Sequence, residues 1–178
     1  MEQRLLAGQK TASLHLHLGA LYGELGLSGD ALRHFTEAAK QEPQNAHVHH
    51  NQAIFFSKQG RTKEAIQQYL ETLRLDPYYL NASNNLAWVF ATHENPIFRN
   101  GEKAVQLSEQ ACELDGRRDP FLLDTLAAAY AEVGRFKEAR LTALEAIDRA
   151  KLTGFDHLAG DIERRLRLYQ SGQPYRKE

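Results

Sequence analysis

The chain is short of most residue patterns that would give it a sharp chemical signature. It has one cysteine in 178 residues, Cys112, so no internal disulfide can form and the redox compartment stays open. Cys112 falls in the apolar-patterned stretch 104–114, where a small buried thiol is expected rather than a reactive one. Lys and Arg total 22 against 23 Asp and Glu, a formal net charge of -1, so there is no basic excess to displace counterions from nucleic acid. No apolar run reaches the length of a membrane span, and the start Met1-Glu2-Gln3-Arg4-Leu5-Leu6 lacks the apolar core of a secretory signal. Also missing are a glycine-rich phosphate loop, a nucleophile elbow, zinc-ligand spacing and a paired-carboxylate site; Glu138 and the other acids are expected on solvated helix faces. These absences point to a non-enzyme without cofactor or metal, soluble and cytoplasmic or periplasmic, with no nucleic-acid partner and no direct membrane insertion.

What is present is repetition. The five prolines and twelve glycines fall at regular places rather than in linkers. Ala31 and Ala65 are 34 residues apart, and the same interval separates Phe35 from Tyr69, Gly26 from Gly60, Pro43 from Pro77, and Tyr22 from Phe56. A third copy runs through Leu86, Ala87 and Phe90, and a fourth through Leu126, Ala127, Tyr130, Gly134 and Ala139. Within a copy, Leu18, Tyr22 and Leu25 recur at spacings of three and four, the period of an amphipathic helix. Gly19, Ala53, Ala87 and Ala127 are small enough for a second helix to approach closely, and Ala31, Ala65, Ala104 and Ala139 give the matching flat surface. Gly26, Gly60 and Gly134 are placed to end the first helix of a pair, and Pro43 and Pro77 to end the second.

A 34-residue period with this residue order resembles the tetratricopeptide repeat. The resemblance covers about residues 12–152, with Leu18, Gly19, Tyr22, Gly26, Ala31, Phe35, Ala38 and Pro43 carrying the first match. It implies an all-α fold, a right-handed α-α superhelix of four helical hairpins plus a C-terminal capping helix. The expected boundaries are a lead-in at 1–11, hairpins at 12–45, 46–79, 80–119 and 120–153, a cap at 154–170 and a polar tail at 171–178. The cap is read from one apolar stripe, Leu158, Ile162, Leu166 and Tyr169, with Asp161, Glu163, Arg164 and Arg167 facing water. The third copy departs from the period: Ala87 to Ala127 spans 40 residues, most of the excess in a turn at 92–101. The stretch from Asn84 to Ala146 is similar to the closing repeats of bacterial tetratricopeptide proteins.

The resemblance implies a protein or extended-peptide partner, held on the concave surface made by the first helix of each hairpin. Counting along those helices assigns His17, then His47, His50, Asn51 and Ile54, then Asn81, Asn84, Asn85 and Trp88, then Asp124 and Thr125 to that groove. Asn51 and Asn85 share one repeat position, where an amide can donate to and accept from a peptide backbone; asparagine is also simply the commonest residue there in the family. The basic clamp with which chaperone-binding members grip a terminal carboxylate is missing, since Leu16, Ala20 and Asn81 occupy its places. Trp88, the only tryptophan, is either a partner anchor or a cover for the long turn beside it. His47 and His50 share a helix face and could approach His17 on the adjoining helix, but His15 and His49 fall at a packing position and no carboxylate or cysteine completes a metal set. The alternative is a non-catalytic module of a larger bacterial enzyme or membrane machine, positioning that machine's substrate.

Overall fold

A computed structural model describes residues 11–177; the expected lead-in, Thr11 apart, lies outside the described residues. Among those described there are nine α-helices of 13 to 17 residues and a single 3-10 turn, with no strand. The chain divides into two compact units, the first ending at Pro77 and the second beginning at Tyr78.

The first unit holds α1 (Ala12–Glu24), α2 (Ser28–Gln41), α3 (Ala46–Lys58) and α4 (Thr62–Leu75). Polar side chains start its first helices: Thr11 accepts from the Leu14 amide, and Asn45 accepts from the His47 amide at 2.9 Å, each satisfying a donor that the helix cannot. Ala31, Ala38, Ala53 and Ala65 are buried to 1% exposure or less, the close helix approach that the small-residue pattern predicts. The approach is tightest at Gly19, where an added Cβ would sit 3.1 Å from the Phe35 ring. Around these small residues the filling is aromatic: Phe35, Phe55, Phe56 and Tyr69 are buried, with His15 and His34 beside them. The two histidines share a 2.8 Å Nδ1 to Nδ1 contact, so one ring donates and the other accepts, and Tyr22 stacks on His34 at 5.3 Å. Gln52 ties the two hairpins together by donating to the Phe35 carbonyl at 3.0 Å.

The second unit holds α5 (Leu80–Thr92), the 3-10 turn (Pro96–Phe98), α6 (Gly101–Asp115), α7 (Pro120–Glu132), α8 (Phe136–Leu152) and α9 (Asp156–Gln170). Its core is aliphatic, with Leu123, Leu126, Ala127, Ala139, Ala143 and Ile162 fully buried, and Tyr169 closing it from α9. Burial of a leucine contributes about 1.5–3 kcal/mol, so this alanine-lined core rests on a few large side chains. Cys112 is buried here, and burial pushes its thiol up to about 12, as expected of an inert structural cysteine. The turn after α7 shows how the repeat glycine works. Gly134 has φ of +78°, and the Arg135 amide reaches back to the Tyr130 carbonyl at 2.8 Å, closing the last helical turn.

Helix α5 has no such glycine, and the long turn after it is tied down by side chains instead. Arg99 donates to the carbonyls of His93 and Glu94 and to the Glu132 carboxylate of α7, while the Asn100 amide donates to the Phe90 carbonyl. The polar tail that follows α9 turns back onto the same unit. Gly172, at φ +72°, reverses the chain after α9, and the Lys177 amide donates to the Thr92 carbonyl of α5 at 2.8 Å. The physical reason is the end of α5: its last carbonyls lack intrahelical donors, and the returning tail supplies them.

Candidate functional site

In the first unit, the residues assigned to the groove lie mainly along α1 and α3. His17 is exposed and its Nδ1 bonds the Ser13 carbonyl at 2.7 Å; Asn51 and Ile54 are half-buried. Beside them is a shallow cleft of about 60 Å3, with Gly19, Ala20 and Gly23 on the α1 side and Asn51, Ile54 and Lys58 on the α3 side. The α1 side is small because two of its residues lack a Cβ, and the rings of Phe35 and Phe55 line the recess this leaves. The Asn51 amide donates to the His47 carbonyl at 2.8 Å, so its oxygen is the atom turned to acceptance. His50 departs from the assignment: it is 6% exposed and packs near Tyr69. Burial, and then the like charge of His47, hold the His50 ring down to about 4, so it is neutral near pH 7.

In the second unit, Asn81 is exposed, while Asn84, Asn85 and Trp88 are half-buried on α5. Asp124 and Thr125 on α7 were expected to face the groove, and both are buried, at 5% and 2% exposure. Asp124 is fully engaged by Arg165 of α9, which donates to its two oxygens at 3.0 and 2.7 Å. Burial outweighs the attraction of Arg165 and lifts the Asp124 carboxyl to about 6. The expectation that the acids all lie on solvated faces therefore fails at Asp124, and again at Glu132, whose side chain is 13% exposed between Arg99 and Arg176.

Trp88 is where these features meet. Its ring lies 5.9 Å from the ring of Tyr175 in the returning tail, and the Arg165 guanidinium sits 5.4 Å from the centre of each. Trp88 therefore packs against the tail with the two rings tilted by 43°, and the cation lies over both π faces. Next along the tail, Arg176 reaches the Glu132 carboxylate at 2.6 Å and the Ala91 carbonyl at 3.3 Å. Lys177 lies in parallel register with His93. Five of these residues, Arg99, Glu132, Arg165, Tyr175 and Arg176, were not assigned to the site from sequence. One signal was readable: Arg165 falls between Ile162 and Tyr169 on the apolar stripe of α9, where a charge needs a buried partner.

Among the described residues, no group of three or more His, Cys, Asp and Glu side chains is arranged to hold a metal ion. No helix among them is long and apolar enough to cross a membrane.

Antiparallel helix pairs with small residues at each crossing and glycine turns at a 34-residue period define the tetratricopeptide-repeat class, and this chain has that fold. MamA from Desulfovibrio magneticus RS-1, residue 41 to its end, is similar with a TM-score of 0.68 and 16% identity, over 94% of this chain and 99% of that one. TTC0263, a thermophilic TPR protein in Thermus thermophilus, is similar with a TM-score of 0.65 and 20% identity, over 96% of this chain and 86% of that one. Both come from bacteria, and at such identity they speak for the fold alone. In sequence, the human protein O-mannosyl-transferase TMTC1 is 44% identical over 63 residues, which is 35% of this chain. The match spans 7% of the length of that transferase. No protein-family profile matches the chain.

Proposed function

We propose that this chain is a non-catalytic protein-interaction scaffold that takes an extended protein segment on the faces of its first helices. In the first unit the residues we assign to this are His17, Asn51 and Ile54, with His50 behind them; in the second they are Asn81, Asn84, Asn85 and Trp88, with Asp124 acting through Arg165. The observation that carries the reading is the cleft between α1 and α3, with aromatic rings and glycines in its lining and Asn51, Ile54 and Lys58 along one side. A recess of this kind takes one small apolar side chain, while the Asn51 oxygen is suited to accept a backbone N–H from the same segment.

Selection of a displayed library of extended peptides on the intact protein tests this, with Ile54→Glu as the counter-target. A charge at the cleft should weaken the selected peptides about thirtyfold or more, while the melting temperature stays that of the parent. A library that yields no binders, or binders indifferent to Ile54→Glu, would reject the cleft as the site.

One observation favours a second reading: the sequence match to a small part of a much longer transferase. On that reading the repeats position a substrate for a catalytic domain. Mass spectrometry of the protein isolated from its source would then find a catalytic domain in the same chain or in equimolar association; finding neither ends the reading.

A further inference from the structure

The face of α5 and α7 in the second unit is already occupied by residues 173–177 of the same chain, and the way they sit has the chemistry of a bound peptide. After the Gly172 reversal, three successive residues each meet a distinct feature. Tyr175 packs at a tilt against Trp88 under the Arg165 cation. Arg176 pairs with Glu132 and the Ala91 carbonyl. The Lys177 backbone amide donates to the Thr92 carbonyl. An aromatic ring, a guanidinium and a main-chain N–H are thereby read in order by an indole, a carboxylate and the end of a helix. The two carbonyls used are among the last of α5, where the helix dipole also favours positive charge.

The segment sits on the surface of the unit. Gln173 and Lys177 are exposed, Pro174, Tyr175 and Arg176 are only half-buried, and Ser171 and Gly172 ahead of them are exposed. Holding so short a segment costs backbone entropy at every residue, against one tilted ring pair, one cation–π contact, one ion pair, the packing of the half-buried Tyr175 on the core, the hydrogen bond from the Gln173 amide to the Leu168 carbonyl and two bonds to helix-end carbonyls. Local opening of a short surface segment held by few buried contacts belongs to the low end of a protein's stability range.

We propose that residues 173–177 are a built-in ligand, and that this face takes an extended protein segment carrying an aromatic residue followed directly by arginine, which must displace the tail to bind. The proposal rests on reading first-helix faces as peptide sites, and it adds for the second unit both the partner's chemistry and a reason for its restraint. A tail docked nine times in ten raises the apparent Kd of a competing segment about tenfold, because only the open fraction can bind.

Trp88, as the only tryptophan, reports this face directly. The probe is a synthetic peptide of residues 171–177, titrated into the full chain and into a full-length double variant, Tyr175→Ala with Arg176→Ala. The variant's emission should shift to the red as the indole is uncovered, and the peptide should reverse that shift. Its apparent Kd for the variant should be about tenfold tighter than for the parent. A peptide whose Tyr is replaced by Ala and Arg by Glu should do neither. Equal affinity for both proteins, or no binding to a variant that keeps the parent's circular dichroism, would mean that the tail is a fixed cap of α5 and would overturn the proposal. Should the variant lose its helicity, hydrogen exchange on the unaltered chain decides: a Lys177 amide exchanging about a hundredfold faster than those of α9 supports release, and equal protection refutes it. A parent that runs as a dimer, with emission that changes on dilution, would assign the occupant to the tail of a second copy and refute the cis arrangement. Peptide selection at the Ile54 cleft does not involve Tyr175 or Arg176, so either reading can fail while the other stands.

Discussion

The two units are built from one repeat, yet they present their first-helix faces differently. In the first, α1 and α3 leave a recess with glycines on one side and aromatic rings in its lining, and its titratable core groups are histidines. In the second, the core is mainly alanine and leucine, it holds a carboxylate paired with arginine, and the face is covered by the chain's own tail. The covering of the second face traces to a single helix end. Helices α1, α3 and α7 each stop at a glycine of positive φ (Gly26, Gly60 and Gly134) that closes the helix locally, whereas α5 runs into the long turn with carbonyls still to satisfy. Side chains of the turn and the backbone of the tail satisfy them, and in doing so they conceal the face. How a helix is capped thus decides whether its neighbouring surface is open.

The largest effect should come from breaking the buried pair that only the second unit has. The side chains of Arg165 and Asp124 are 11% and 7% exposed, so Arg165→Met strands a carboxylate away from water. That should cost about 3–5 kcal/mol, and the double variant Asp124→Leu with Arg165→Met should recover most of it. Denaturant titration followed through Trp88 emission reports the second unit alone, since no tryptophan lies in the first. A single variant as stable as the parent would show that the pair does not hold the unit.

Acid should separate the units by sign. Folded His50 titrates at about 4, below its ordinary 6.5, so its contribution is complete above 6.5 and is lost as the pH falls toward 4. Folded Asp124 titrates at about 6, above its ordinary 3.8, so its contribution is complete below 3.8 and is lost as the pH rises through 6. Lowering the pH from 6.5 to 4.5 should therefore loosen the first unit, by on the order of 1 kcal/mol after solvent screening. It should firm the second by on the order of 2 kcal/mol. Hydrogen exchange on α3 and α7 at the two pH values measures both, with His50→Gln and Asp124→Asn each abolishing its own trend. Trends of the same sign in parent and variants would mean that other groups dominate.

A smaller effect, of opposite direction to most core changes, is expected at Tyr169. Its ring is fully buried, and its hydroxyl has no hydrogen-bond partner among the described residues. Burial beside the Asp124 carboxylate also holds that phenol well above its ordinary range. Tyr169→Phe removes an unsatisfied polar group and should stabilise the second unit by about 1 kcal/mol, read as a higher denaturation midpoint.

The helical hairpins were legible in the sequence because their determinants are local and repeated. Ala31, Ala53, Ala65, Ala87 and Ala127 recur in register, and each is buried to 1% exposure or less. Cys112 and the α9 stripe of Ile162, Leu166 and Tyr169 were legible for the same reason. The buried side of the site was not. Counting positions on an ideal helix places Asp124 toward the groove, but burial there depends on α9, which carries Arg165 41 residues further along. The tail was hidden in another way. Its composition is polar, and its docking depends on a missing glycine cap far earlier in the chain, a long-range fact that no local pattern contains. A tyrosine and an arginine side by side after Pro174 were the one visible sign that the segment had surface to seek.

The smallest effect sharpens the comparison most, because it uses one repeat position in both units. Asn51 and Asn85 occupy equivalent places on α3 and α5, and both are half-buried. In Asn51→Ala the loss of the bond to the His47 carbonyl is offset by alanine's better helix propensity, so stability should move by less than about 0.5 kcal/mol. Peptides selected at the cleft should nonetheless bind about fivefold more weakly, the worth of one hydrogen bond to backbone. Asn85→Ala should leave the intact chain's binding of the 171–177 peptide nearly unchanged, since the tail is in place. In the Tyr175→Ala, Arg176→Ala background the same change should weaken that peptide measurably. Isothermal titration on the parent and the four variants measures this. If Asn51 and Asn85 respond alike in the intact chain, the first-helix face of the second unit is as open as that of the first, and the contrast between the units lies in their cores alone.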